Sequence, residues 1–327
     1  MKAIVHTAYG PPDVLELRDV DRPTPGAEEV LVRVRAASVN AADWHVMRGT
    51  PFLVRLMGYG LRAPSNPLFG ADLAGEVEAV GSDVTGFRPG DAVFGDLTDC
   101  GRGSFAEYAV AAEDAVVPIP DGVPFAEAAA TPLAAVTALQ ALRDEGQITE
   151  GERVLVNGAS GGVGTFAVQL ARHYGATVTG VCSTEKLDAV RALGADAVVD
   201  YTEVDYTETG ERYDLVIDAG GYRSVLDSRR ALAPGGRYVF VGGALGPTLQ
   251  AMALGPLLTR LGDSTVTGFV AEPNAADLQV IADRLASGDI EPVLDRHYPL
   301  AEVPEAIEYL EAGQATGKVG ITVTPGE

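Results

Sequence analysis

The run "VLVNGASGGVGTFAVQLA", residues 154–171, decides the fold. An apolar, β-branched stretch enters the turn Ala159, Ser160, Gly161, Gly162, Val163, Gly164, and a helical pattern starts at once. Glycines at this spacing allow a tight turn, close backbone approach to a pyrophosphate and close helix–strand packing. The helix N-terminus then turns its free N–H groups and positive dipole end toward the anion. Ala159 occupies the place of the first glycine of the common fingerprint. A glycine-rich turn with no ligand is the alternative. The strand before it, the helix after it and the βα-type units downstream favour dinucleotide binding.

Those units read outward from the turn. "TVTGVCS" (177–183) is a strand and "EKLDAVRALGA" a helix, followed by the apolar runs "AVVD", "YDLVIDAGG" and "RYVFVGG" and a last strand in "STVTGFVA". Strands separated by helical patterns predict right-handed βαβ units in a parallel sheet. Upstream the texture differs: "VLVRVRAASV", "GEVEAVG" and "DAVFG" are short strands cut by Gly and Pro, which predicts a β-rich first region. The change comes near "PFAEAAATPLAAVTALQAL", residues 124–142. The stretch after residue 272 reads as helix, loop, helix and a closing strand.

The bulk numbers agree with two domains in 327 residues. A net charge of −22 argues against nucleic acid or an anionic membrane as partner. No apolar run approaches the length of a membrane span. Cys100 and Cys182 are too few for a disulfide framework or a structural zinc site, which with the absence of a signal-like start predicts a cytoplasmic protein.

The end of the second strand bears on which nicotinamide cofactor is used. An NAD site places an acidic residue there for the ribose 2′-hydroxyl. "VCSTEK" instead offers Ser183, Thr184 and Lys186, which suit a 2′-phosphate, so NADPH is expected. Glu185 keeps NADH open as the alternative, and Ser183 or Thr184 also suits a helix cap. Tyr201 is expected beside the adenosine.

In order along the chain, "SVNAADWHVMRG", "FGADLAGEVEAVGSDVTGFRPGDAVFG", "GSFAEYAV", "NGASGGVGTFAVQLA", "LGADAVVDY" and "GKVGITV" resemble the zinc-free quinone oxidoreductases of the medium-chain dehydrogenase/reductase superfamily. The resemblance implies an α/β fold: a GroES-like β-rich domain of residues 1–123 and 272–327 around an inserted, doubly wound Rossmann domain of 124–271. It implies Thr137, Gly242, Gly243 and Lys318 as further cofactor-side residues, and a homodimer. It also bears on metal. Asn40 stands where zinc-dependent members have a Cys, Ala71 where they have a His, and Leu133 near the third ligand, so no metal is expected. Ala42 replaces the hydroxyl residue that would feed a proton relay ending at His45, which leaves His45 a hydrogen-bonding role. For Asp43, loop bracing and catalysis both stay open.

Without metal or relay, quinones and enones are the expected small-molecule acceptors, because their reduced anions are weak bases. Asn40 is the expected hydrogen-bond donor to the substrate, and Tyr59, in the apolar stretch "TPFLVRLMGYGLRAP" (50–64), a pocket residue. That stretch reads either as a short packed helix or as a pocket wall; "LQAMALGPLLTRLG" (249–262) has similar texture. A zinc-free alcohol or carbonyl dehydrogenase, and a nucleotide-binding relative without turnover, are the other readings.

Overall fold

The chain begins with strands β1 (Lys2–His6) and β2 (Leu15–Asp19), an antiparallel pair. The long β3 (Glu29–Val39) follows, then helix α1 (Ala41–Arg48) and strands β4 (Asp72–Val80), β5 (Ala92–Asp96), β6 (Tyr108–Ala112) and β7 (Val116–Pro118). Helices α2 (Phe125–Ala129) and α3 (Pro132–Gln140) lead to the alternating part. There β8 (Arg153–Asn157), α4 (Gly162–His173), β9 (Thr177–Cys182), α5 (Leu187–Ala192), β10 (Ala197–Asp200), β11 (Tyr213–Asp218), α6 (Val225–Ser228), β12 (Leu232–Phe240) and β13 (Thr265–Gly268) succeed one another. The chain ends through α7 (Ala275–Ser287), β14 (Leu294–Pro299), α8 (Val303–Glu311) and β15 (Lys318–Thr322). This computed structural model describes residues 1–242, 250, 255, 259–260 and 263–323, with Met57 described by its backbone alone.

Two compact units result: residues 1–133 with 273–327, and residues 134–272. The first junction lies beyond the change of texture at residue 124, because α2 packs on β3, β4 and β15 of the first unit. Among the described residues, the first unit carries a mixed sheet in the order β14-β15-β3-β4-β5-β7, with β6 on the other part of β3. Alternation along β3 explains its place: Val30, Val32 and Val34 enter one core with Leu73, Val77 and Val93, while Ala37 and Val39 join Met47, Phe69 and Ile307 in another.

The second unit holds the parallel sheet β10-β9-β8-β11-β12-β13. Its central strands are buried on both sides, which is why they read as continuous apolar runs. Helix α4 is buried from Gly164 to Ala171, Phe166 fully so. Truncating a core aromatic of this kind costs about 3–5 kcal/mol.

The stretch expected as a loop between the last two helices contains strand β14, parallel to β15. It is an edge strand with Asp295, Arg296 and His297 exposed, so no apolar alternation marks it in the sequence. Within 50–64, a π-helical turn spans Arg55–Tyr59, and Phe52, Leu53, Leu56 and Leu61 are exposed.

Candidate active site

In the second unit the glycine turn is a cradle because side chains do not fit there. Gly158 has φ +79°, a left-handed conformation that a side chain rarely adopts. A Cβ on Gly164 would lie 2.0 Å from the Gly158 carbonyl oxygen, so α4 can pass the end of β8 this closely only with glycine. Gly161 caps α4 in an extended conformation, and Ser160 is buried beside it. The first-turn N–H groups of Gly162, Val163 and Gly164 have no partner in their own helix, a geometry that suits an anion such as a phosphate. These residues fit a dinucleotide.

At the end of β9, Ser183 and Lys186 are half-buried and Glu185 is exposed. The Thr184 hydroxyl donates to Asp200, whose carboxyl is held below its ordinary range by the Thr184 and Thr202 hydroxyls. Asp200 is thus a carboxylate held against Thr184 that sequence reading did not weigh. Tyr201, just after β10, is exposed, and Thr137 is buried on α3. Gly242 lies two residues beyond β12, with open space where a Cβ would stand. Gly243 and most of 249–262 lie outside the described residues.

Beneath the cradle, Asp218 joins three strand ends. Its Oδ1 accepts from Asn157 Nδ2 at 2.7 Å and its Oδ2 from the Tyr238 hydroxyl at 2.5 Å. Burial pushes the Asp218 carboxyl up, and the two donors oppose that shift.

The first unit holds a second polar cluster, centred on Asp72. Its Oδ2 accepts from Ser38 Oγ (2.9 Å), from Asn40 Nδ2 (2.8 Å) and from Lys318 Nζ (3.2 Å). Its Oδ1 accepts from the Leu133 N–H at 3.0 Å. Lys318 Nζ also donates to Asn40 Oδ1. Register explains the convergence: Ser38, Asp72 and Asp96 are cross-strand partners on β3, β4 and β5, and Lys318 opens β15 beside them. The side chains of Lys318 and Asp72 are 2% and 0% exposed. A buried ion pair is tolerable only when its remaining hydrogen-bonding capacity is met, and here four donors surround the carboxylate. Asn40, Leu133 and Asp72, the neighbour of Ala71, therefore meet; Ala71 and Leu133 bring no side-chain donor atom to a metal.

Asp43 belongs to an adjoining network. Its Oδ2 accepts the Asn40 N–H at 2.7 Å, fixing the start of α1, and its Oδ1 pairs with Arg102 Nη1 at 2.7 Å. Arg102 Nη2 donates to the Tyr59 hydroxyl at 3.2 Å, and the guanidinium sits over the Tyr59 ring. Both charges of the Asp43–Arg102 pair are buried. His45 hydrogen-bonds the Thr50 carbonyl through Nδ1 at 2.9 Å and stacks on Trp44.

Asp96 is the outlier of the group. Its Oδ1 accepts twice from Thr98, but among the described residues its buried Oδ2 meets no donor. Burial, and then the Asp72 charge, push its carboxyl up to about 7. An acid whose folded pKa is raised binds its proton more tightly when folded, so the contribution of Asp96 to stability falls as pH rises from about 4 to about 7 and is level above that. Asp96→Asn removes this dependence. Its stability advantage over the natural chain should grow across that window toward an upper bound on the order of 4 kcal/mol. Urea unfolding at pH 4.5 and pH 8 checks this; an advantage independent of pH counts against it.

Of the residues expected from sequence, the structure groups Asn40 with Lys318, and Ser160 to Gly164 with one another. Tyr59 joins through Arg102. Asp72, Arg102 and Asp218 were missed, since each is an ordinary residue in sequence and acquires meaning only through partners far along the chain.

Comparison with known proteins bears on the same regions. Residues 26–121 match the family described as the alcohol dehydrogenase GroES-like domain, and residues 193–319 the family described as zinc-binding dehydrogenase. A 2-methylene-furan-3-one reductase of Solanum lycopersicum is 35% identical over 99% of this chain and 80% of its own length. An NADPH-dependent alkenal/one oxidoreductase of Arabidopsis thaliana, chloroplastic, is 34% identical over 99% of this chain and 80% of its own. The solved quinone oxidoreductase of Coxiella burnetii superposes with a TM-score of 0.88 at 30% identity, covering 99% of each chain.

Proposed function

The chain belongs to the quinone oxidoreductase group of the medium-chain dehydrogenase/reductase superfamily, and from that membership we propose that it reduces quinones and α,β-unsaturated carbonyl compounds with NADPH and without zinc. The Asp72 cluster carries this reading. A catalytic zinc needs three protein ligands, whereas the positions expected to hold them have one amide, a methyl group and an aliphatic chain. That donor set does not fit zinc. Hydride addition to a simple ketone builds a strongly basic alkoxide that needs a Lewis acid or a positioned proton donor. Addition to an enone or quinone spreads the charge, and hydrogen bonds suffice to hold it.

When bound, the nicotinamide supplies the hydride. This chain's residues bind and orient: Ser160 to Gly164 take the pyrophosphate, and Ser183 and Lys186 take the 2′-phosphate. Thr137, Tyr201, Gly242 and Gly243 complete the cofactor side. Asn40 donates a hydrogen bond to the acceptor, and Tyr59 lines its pocket. A relative whose name states NADPH dependence supports the choice of cofactor. Chelator-treated protein offered NADPH or NADH with a quinone, an enone, an aldehyde and a simple ketone tests the reading. Fast NADPH consumption is expected with the first two alone; turnover confined to aldehyde or ketone defeats it. Lys186→Ala should raise the KM for NADPH roughly ten- to a hundredfold, a charged hydrogen bond being worth roughly 1.5–3 kcal/mol, and leave NADH use unchanged.

The proposal extends to a cytoplasmic homodimer. No helix among the described residues is long and apolar enough to cross a membrane. The free thiols of Cys100 and Cys182 suit a reducing compartment. Strand β13 ends its sheet among the described strands, and its open backbone groups suit pairing with a second copy. Light scattering should return twice the mass of the chain; the mass of a single chain rules the dimer out.

A further inference from the structure

We infer that Lys318 and Asn40 together form a two-donor oxyanion site for the acceptor's carbonyl oxygen, with Asp72 as the residue that positions both; this rests on the proposed reduction of enones and quinones. A lysine ammonium carries three hydrogens and an asparagine amide two. Asn40 Oδ1 and Asp72 Oδ2 take two from Lys318, and Asp72 Oδ2 takes one from Asn40. One hydrogen on each residue is left over, and the two nitrogens are neighbours through Asp72.

The charges also fix which way the amide points. Turning Asn40 over would set its NH2 against the ammonium and its oxygen against the carboxylate. The donor therefore cannot exchange places with the acceptor. Ser38 and the Leu133 N–H fill the remaining room around Asp72 and keep it in place. Lys318 thus brings a fixed positive charge to Asn40, which stands at one of the positions a zinc enzyme would use for its metal. In a buried setting, a donor already in position stabilises developing negative charge without reorganisation.

The step balances without a protein acid. Hydride adds to the β-carbon of the enone, the π pair moves onto the carbonyl oxygen, and that enolate oxygen accepts from Lys318 and Asn40. Lys318 keeps its proton; water protonates the α-carbon. With a quinone the product held is the hydroquinone monoanion, a weaker base that needs the donors less. This moves Lys318 from the cofactor, where the sequence reading put it, to the acceptor.

The test is steady-state turnover of the full-length Lys318→Met variant with an enone and with a quinone, beside NADPH affinity by fluorescence titration. Lys318→Met strands the buried Asp72 charge, so the neutral Asp72→Asn/Lys318→Met double variant is measured in parallel. The expected result in either folded variant is a fall in kcat of about 100-fold with the enone, less than about tenfold with the quinone, and an NADPH Kd within about twofold of the natural chain. Equal losses with both acceptors in the double variant, no loss, or a loss explained by weakened NADPH binding overturns the inference. A natural chain that turns over neither acceptor overturns the proposed function itself.

Discussion

Gly164→Ala is expected to abolish useful NADPH binding, raising Kd at least about 100-fold, and to cost about 1–3 kcal/mol of stability, the usual range for overpacking a filled site. The added methyl would sit 2.0 Å from a backbone oxygen and 2.8 Å from the Ala159 Cα. Neither atom is the end of a flexible side chain, so α4 itself must move. That displaces the N–H groups of its first turn, which are what the phosphate needs. A small shift at such a site is costly because the hydrogen bonds are charge-assisted and directional. Isothermal titration with NADPH, together with a thermal melt to show that the variant folds, decides the matter. Binding as tight as that of the natural chain would mean that the cradle is elsewhere.

Arg102→Met should destabilise the first unit by about 3–5 kcal/mol, the cost of leaving a buried carboxylate without its cation, which lowers Tm by roughly 10 °C. The Asp43 carboxylate has no water to turn to, as its side chain is 0% exposed. Burial already raises the Asp43 carboxyl, and the Arg102 charge is the largest influence holding it down. Asp43→Asn in the same chain should recover more than half of the loss, because a neutral amide costs far less to bury. If the double variant is no more stable than Arg102→Met, the pair is not the source of the effect. The Tyr59 hydroxyl loses its donor too, so any surviving Arg102→Met protein should show altered KM for bulky acceptors with an unchanged NADPH Kd.

How much of this was legible from sequence depends on where the constraint lies. The cradle was readable because backbone geometry permits only glycine at Gly158 and Gly164, and the local order of strand, turn and helix exposes that need. The parallel sheet was readable because its strands are buried on both faces. Strand β14 was not, since an exposed edge strand places no demand on side-chain polarity. Asn40 was picked out by its place in a motif, but its partners were not. Asp72 sat in "GAD" as the residue after a missing histidine, and Lys318 lay hundreds of positions away; only the register of β3, β4 and β15 brings them together. Arg102, at φ +65° in a glycine-rich loop, had no periodicity to announce it.

The position of β15 has a consequence for how the molecule comes into being. Strand β3, made among the first forty residues, takes as one of its neighbours a strand that begins at Lys318. While the chain grows, the parallel sheet of residues 153–268 has all its strands available long before that. The β-rich unit does not, and until Thr322 has been added β3 keeps its Ala36–Val39 part open on the side it shares with β6, the kind of exposed edge that invites mispairing. The lysine that closes the polar cluster arrives on that same late strand. Completion of the sheet and completion of the site are therefore one event, and an unfinished chain has neither.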